Sequence, residues 1–379
     1  VAHCPRRIQA PPEERHAGRQ LAVATTLAIK LGKLDSIVDF THAAADELQS
    51  AFGYYLTAVH EVSGEALRLL ATAGELAVSH PEYLRERALL SFSTGNRVAH
   101  SGQQLLINDT HLDPEYVAIR PPLDPRAELC TPIFVHQRVW GVLSIWQRQA
   151  NAFGGYDVML ANAVAAQLGA AVDRHMLTVT MESNFTNILG LLSDILEYKD
   201  AYTGDHAHKV ATLAARVAAT LELDADTVRR VRYCALLHDI GKIAVPSEVM
   251  NKPGRLTAEE TTLMRKHASL GATLLARSPL LADIAPLVRA THERWDGQGY
   301  PDGVSGTAIP IESRVVAICD AWHAMIEDRV YRKALGEQQA IAELTDNAGS
   351  QFDPKVVEAL LKTVGAQDDA SPAAGGPGA

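Results

Sequence analysis

The most informative feature of this chain is a set of potential nitrogen and oxygen ligands that lie on separate segments. They are the adjacent pair His238 and Asp239 in HDIGK (238–242), and His206, His267, His292 and Asp320 on separate segments. A histidine followed directly by an aspartate offers a neutral nitrogen and an anionic oxygen from one step of chain. One such pair can serve two neighbouring cations, with the aspartate as the natural bridge. Each segment reads as helical. His206 shares a face with Val210, Leu213 and Val217, which points it toward a core. His267 lies three residues after Met264 and three before Leu270, in a helix whose start is signalled by Thr257 and Glu260, a capping box. His292 follows Ile284 and Val288 at steps of eight and four. Asp320 follows Val316 by four in RVVAICDAWHAMI, an otherwise largely apolar run where a carboxylate is costly unless paired or metal-bound. One histidine on an apolar helix face is commonly a hydrogen-bonded core residue. Five helices that would each aim a donor inward favour a metal site over coincidence, a reading that leans on the resemblance described next.

The order and spacing of the surrounding motifs carry a resemblance. EYKDAYTGDHAHKV (197–210), LLHDIGKIAVP (236–246), MNKPGRLTAEE (250–260), MRKHASLG (264–271), HERWDGQGYPDG (292–303), IPIESRVVAICDA (309–321) and DRVYRKAL (328–335) resemble the HD-GYP branch of the HD-domain phosphohydrolases. That is a bacterial family of cyclic di-GMP phosphodiesterases, and the resemblance spans roughly 184 to 362. It implies that His206, His238, Asp239, His267, His292 and Asp320 hold two divalent metal ions, iron or manganese, with Asp239 between them. It further implies Lys242 facing the scissile phosphate and Arg294, Arg329 and Arg332 neutralising phosphate oxygens. Read from the residues alone, those arginines fit a solvated or ion-paired surface equally well. The resemblance also implies that Gly299, Tyr300 and Pro301 form the signature loop beside the substrate, where glycine opens backbone angles closed to other residues and proline stiffens the turn.

Three positions depart from the family pattern. Thr291 stands where a second histidine precedes the one matched by His292. Tyr202 stands where members with a third metal carry a glutamate. His323 replaces an aspartate and adds either a ligand or a hydrogen-bond partner three residues after Asp320. The first two argue for two metals and no third, and Thr291 leaves the shell of the second metal short of one nitrogen.

The chemistry implied is hydrolysis of a phosphodiester. A divalent ion lowers the pKa of its water from 15.7 toward about 7, and paired ions stabilise entering and leaving oxygens. Lys242 and Asp239 are the catalytic side chains on this reading, with pGpG or GMP as product. Two other readings stay open. One is a catalytically degenerate module that binds cyclic di-GMP or a protein, suggested by Thr291. The other is an HD phosphohydrolase of a different nucleotide.

Composition agrees with a globular chain of two domains: 379 residues, 47% hydrophobic, 21% charged, net charge −10. That charge gives no general attraction to DNA, so an anionic nucleotide must be captured by local cations. Cys4, Cys130, Cys234 and Cys319 are scattered, which suits reduced thiols in the cytoplasm better than disulfides. No run of about 18 apolar residues suggests membrane insertion, and VAHCPRRIQAPPEERH lacks the apolar core of a signal peptide.

The first half reads as mixed α/β, and the whole chain as α+β. Helices are expected around 18–33 and 35–51, strands at YYLTAVHEV and ALRLLATAG, and a strand pair across 129–147 turning at 136–138. A long helix begins near Gly155. GNRVAHSGQQLLINDTHLDPEY (95–116), ELCTPIFVHQRVWGVLSIW (128–146) and NAFGGYDVMLANAVAAQLGAAV (151–172) resemble a GAF domain, a sensory module built on an antiparallel sheet with flanking helices; its ligand is left open. Phe153 and Asp157 have the spacing of part of a cyclic-nucleotide motif, but core and helix-start roles explain them as well. The expected division is a disordered start at 1–18, the sensory domain at 19–175, a linker helix at 176–183, the helical HD-GYP domain at 184–365 and a disordered tail at 366–379. Leu160, Val164, Leu168 and Val172 recur at helical spacing, which predicts a parallel homodimer through the long helix. A further partner implied by the family is a cyclic di-GMP synthase, contacted through the signature loop.

Overall fold

The computed structural model describes residues 12–79, 93–116, 125–199, 205–327 and 333–368. The chain divides into two compact units, Val1–Met181 and Glu182–Ala379.

In the first unit, α1 (Pro12–Leu31) and α2 (Ile37–Phe52) precede a five-stranded antiparallel sheet. The strands are β1 (Leu56–Ser63), β2 (Ala66–Ala73), β3 (Leu105–Ile107), β4 (Ala127–Val135) and β5 (Arg138–Gln147), in the order β2-β1-β5-β4-β3. Helix α2 is punctuated as its sequence demands. The Ser36 side chain accepts from the Asp39 amide at its start, and Gly53 takes the left-handed conformation at its end. The β4–β5 turn is tighter than expected: His136 and Gln137 both have positive φ, which matches the twist of a two-residue hairpin. Alternation along the strands sorts the two faces. Leu129, Ile133, Leu143 and Ile145 pack with Leu27, Phe40 and Leu48 in one core, while Cys130 and Val142 face the other way, with Leu67 and Val98.

Residues 12–18, within the stretch expected to be disordered, begin α1, and residues 1–11 lie outside the described residues. Pro12 suits the first turn of a helix, where its missing N–H costs nothing. Residues 366–368 likewise complete a helix, Pro354–Asp368. Helix α3 (Thr94–Ser101) closes over the second sheet face.

Helix α4 runs from Gly155 to Lys199, and the unit boundary falls within it. Its early stripe corrects one expectation. Leu160, Val164, Leu168 and Val172 are buried in the core of their own unit, so they are not free to meet a second subunit. The close approach is visible at Gly169, where an added Cβ would lie 2.2 Å from the Phe134 carbonyl oxygen. Phe153 joins the same core. Asp157 accepts from the Gly154 amide and the Tyr54 hydroxyl, the helix-start role.

The regular structure among the described residues of the second unit is helical apart from one isolated bridge, and includes a short helix at Ser247–Met250. Besides that helix, α4 is followed by α5 (His206–Thr220), α6 (Ala225–Leu237), α7 (Ala258–Leu275), α8 (Ala285–Arg289), α9 (Ile311–Ile326), α10 (Glu337–Asp346) and α11 (Pro354–Asp368). One core joins Val210, Val217, Leu236, Val288, Val316 and Leu360. No helix among the described residues is long and apolar enough to cross a membrane. Among the described residues Cys130, Cys234 and Cys319 are buried and form no disulfide, and Cys4 lies outside the described residues.

Leu168→Ala is expected to lower unfolding free energy by about 2–5 kcal/mol in a urea titration. Met159→Ala, 66% exposed on the same helix, should change it by no more than about 0.5 kcal/mol.

Candidate metal centre

Five of the predicted donors project from elements of the second unit that pack on one core, and the sixth comes from a turn. His206 opens α5, His238 closes α6, Asp239 precedes a 3₁₀ turn (Ile240–Ala244), and His267 and Asp320 lie within α7 and α9. His292 is not helical: α8 is short, and the histidine sits in the turn after it. Val288 joins the core of the unit, whereas His292, beyond the helix end, lines the cavity beside the triads.

The donors form two triads, His206–His238–Asp320 and Asp239–His267–His292, whose ligand atoms lie within 4.8 Å of one another in each. Asp239 reaches toward both. One carboxylate oxygen is 3.4 Å from His238 Nε2 and the other 3.5 Å from His267 Nε2. His206 Nε2 lies 3.1 Å from Asp320 Oδ1.

The orientation of the rings is set from behind. His238 Nδ1 is 2.7 Å from the Ala235 carbonyl, and His267 Nδ1 is 2.7 Å from the Met264 carbonyl. A carbonyl only accepts, so each Nδ1 carries the proton and each Nε2 presents a lone pair to the cluster. His267 and His292 meet Nε2 to Nε2 at 2.8 Å. Burial pushes His292 down to about 4 and lowers His267, so both rings are neutral at pH 7. Two neutral imidazoles and a carboxylate suit a divalent cation. On the other side, burial opposes a charge on His206, but its hydrogen bond to Asp320 prevails and raises its pKa. Burial also works against ionising Asp239, yet adjacent Lys242 holds the carboxyl well below the usual range; the Lys242 ammonium donates to it at 2.6 Å.

Gly241 makes this convergence possible. An added Cβ would lie 1.9 Å from the His267 carbonyl oxygen and 2.5 Å from the Gly271 amide nitrogen, so the HDIGK turn lies backbone to backbone on α7.

The loop over the second triad has the same character. Tyr300 stacks on His292 with ring centroids 5.0 Å apart and planes 10° from parallel, and Arg265 lies over Tyr300 at 5.1 Å. Burial pushes the Tyr300 hydroxyl up to about 12. Gly299 is needed for proximity rather than for a special φ, since a Cβ would fall 2.4 Å from the Arg294 nitrogen; the positive-φ glycines of the loop are Gly297 and Gly303. Pro301 follows through a cis peptide bond. A cavity of about 320 Å³ opens beside the triads, lined by Lys242, Met250, Met264, Tyr300 and Glu197 as well as every donor except His238.

Several expectations change. Arg294 is committed to Asp296 through two nitrogens and to Gln351 through a third, so the ion-paired reading describes it and it does not line the cavity. Arg329, Arg332 and Tyr202 lie outside the described residues. Thr291 is buried and donates its hydroxyl proton to Val288, finishing the turn of α8. His323 belongs to neither triad and stands edge-on to His206 with ring centroids 6.4 Å apart. Two carboxylates escape a reading of the sequence. Glu197 accepts from the His206 and Ala207 amides and so caps α5, and Glu293 accepts from the Asp302 and Gly303 amides and so anchors the loop. Each lies inside a quoted motif, but neither shows its burial by periodicity.

Comparison with known proteins matches residues 36–172 to the GAF domain and residues 190–356 to the HD domain. The chain joins a GAF domain to an HD domain. The stretch containing the HD domain is 37% identical over 196 residues to a cyclic di-GMP phosphodiesterase of Thermotoga maritima, covering 49% of this chain and 53% of that protein. It is 39% identical over 184 residues to the cyclic di-GMP phosphodiesterase response regulator RpfG of Xanthomonas campestris pv. campestris, covering 48% and 49%. With the 3'3'-cGAMP-specific phosphodiesterase 2 of Vibrio cholerae it shares 34% over 208 residues, covering 54% and 40%. The chain thus spans about half the length, or less, of these curated relatives.

Gly241→Ala is expected to push the HDIGK turn off α7 and to cost about 1–3 kcal/mol of stability, read by thermal melting. Gly365→Ala, in helix α11 with open space around its Cα, should be neutral or stabilising, by up to about 1 kcal/mol.

Proposed function

We propose that this chain is a metal-dependent cyclic di-GMP phosphodiesterase, producing pGpG or GMP, with the GAF domain as its sensory element. The observation that carries the reading is the pair of facing triads with Asp239 reaching into both and backbone carbonyls fixing the proton on Nδ1 of His238 and His267. The donor set fits two divalent ions: imidazole nitrogens and carboxylates on both sides, with carbonyl partners behind His238 and His267. Iron or manganese is the proposed occupant, held by His206, His238 and Asp320 on one side and by Asp239, His267 and His292 on the other. When bound, such ions supply Lewis acidity to a phosphodiester and acidify water.

The remaining work falls to this chain's own groups. The Lys242 ammonium stands at the shared carboxylate, where it can offset charge gathering on phosphoryl oxygens. Tyr300 and Met264 supply apolar wall beside it, which lowers the local dielectric and strengthens that interaction. The cavity is at the small end for a ligand site. It suits the scissile phosphodiester and its neighbouring sugar, with the rest of the macrocycle outside. Against a net charge of −10, Lys242 and the exposed Arg265 are the local cations that attract an anionic nucleotide.

A second nucleotide belongs in the same test, because one relative is named for 3'3'-cGAMP and matches this chain nearly as well. A binding-only role has less support: both triads are complete without position 291, and the Thr291 hydroxyl is engaged in its own turn. The reading also takes a second copy of this chain as its macromolecular partner.

Protein reconstituted with iron(II) or manganese is expected to convert cyclic di-GMP to pGpG or GMP, read by liquid chromatography, and to carry two metal ions per chain. Lys242→Ala should lower kcat by roughly 10²- to 10³-fold, while Asp239→Ala should abolish turnover and retain fewer than two ions. Absence of product from folded, metal-loaded protein with both cyclic di-GMP and 3'3'-cGAMP would refute the proposal.

A further inference from the structure

The second half of α4 has two faces with different fates. Leu189, Ser193, Leu196 and Glu197 are buried in the second unit, and Phe185 meets Tyr233 edge-on at 5.4 Å. The opposite face is apolar and open: Ile188 is 55% exposed, Leu191 59%, Ile195 61% and Tyr198 94%. With Asn184 these residues advance in steps of four, three, four and three, and the same spacing runs back through Met181 and Leu177. That is a heptad repeat, with Met181, Ile188 and Ile195 at one seam position (a) and Leu177, Asn184, Leu191 and Tyr198 at the other (d).

We infer that this seam is the surface on which a second copy of the chain docks, as a parallel two-stranded coiled coil in register. Three features choose that occupant. A strict 3.5-residue period fits another helix of the same period, not an irregular peptide or a sheet. The placement of isoleucine at a and leucine at d is the pairing that favours two parallel strands. Asn184, at a d position, is the one amide in the seam; in register it meets the partner's copy of itself and the two amides satisfy each other, whereas a shift or reversal sets it against an apolar side chain. The area also suffices. Seven large side chains, counting Leu192 at the flank, offer roughly 60–100 Å² each, or roughly 400–700 Å² per copy before flanking residues, against about 800 Å² in a standard interface. The proposal rests on the self-association of the functional reading and not on its chemistry. It replaces the Leu160–Val172 stripe, which is buried, with one that is free. Because Glu197 caps α5 from the other face of this helix, the seam and the first ligand, His206, share one support.

The test uses the full chain with Cys4 changed to serine and the other thiols, which are buried, retained. Sedimentation of the parent should give a dimer, and Ile195→Glu should weaken it at least about tenfold with helical content unchanged. Asn184→Cys should oxidise to a covalent dimer at least about tenfold faster than Ser183→Cys, one residue off the seam, since a disulfide demands close, facing Cβ atoms. A parent that stays monomeric would overturn both the self-association and this surface. A dimer that survives Ile195→Glu, or that cross-links as well through position 183 as through 184, would overturn the seam alone and leave self-association standing.

Discussion

Two hydrogen bonds to main-chain carbonyls, from His238 to Ala235 and from His267 to Met264, decide what the HD domain can hold. Each fixes a tautomer, and a fixed tautomer turns an imidazole from an ambiguous polar ring into a directed lone pair. Each acceptor lies one helical turn before its histidine, so the helix that carries the ligand also orients it. The packing of α5, α6, α7 and α9 brings these oriented groups together. The apolar core they share matters to the centre chiefly because it leaves the rings no alternative direction.

The electrostatics follow from that confinement. Asp239 and Asp320 are carboxylates among low-dielectric surroundings, and each remains ionised because a specific partner outweighs its burial, Lys242 in one case and His206 in the other. His267 and His292 go the opposite way and stay neutral. One side of the centre is thus a carboxylate hydrogen-bonded to an imidazole whose pKa it raises, and the other a neutral pair of rings beside a shared anion. An arrangement with so many facing donors at 3.5 Å or less is tolerable within a core only if a cation or a set of compensating protons joins them.

Much of this is legible in the sequence, and the misses have physical causes. The approach of His206, His267 and Asp320 and the capping box at Thr257 can be read from helical period, and the His238–Asp239 pair from a local motif, whereas His292 lies in a turn that helical period does not describe. The β-hairpins are legible through turn residues and alternation. The buried stripe Leu160–Val172 misleads because periodicity reports an apolar face without saying what covers it; the GAF core does. Arg294 is plausible as a phosphate contact, but a guanidinium two residues from an aspartate closes a local fork first. Glu197 and Glu293 are invisible because their partners are backbone amides, which nearly every residue has and no sequence marks. The expectation for Gly299 is half right: glycine is required there, for room rather than for angle.

The contact between Gly241 and α7 limits how such a centre can change over generations. Gly241 and Gly271 meet through backbone atoms, so the space that a new side chain would need cannot be released by trimming a neighbour. A side-chain contact can drift through paired substitutions, one enlarging as the other shrinks. A backbone contact has no smaller variant to drift toward. The side chains around it can be exchanged one at a time, but the glycine that lets the turn lie on the helix has no neighbouring genotype that preserves the geometry.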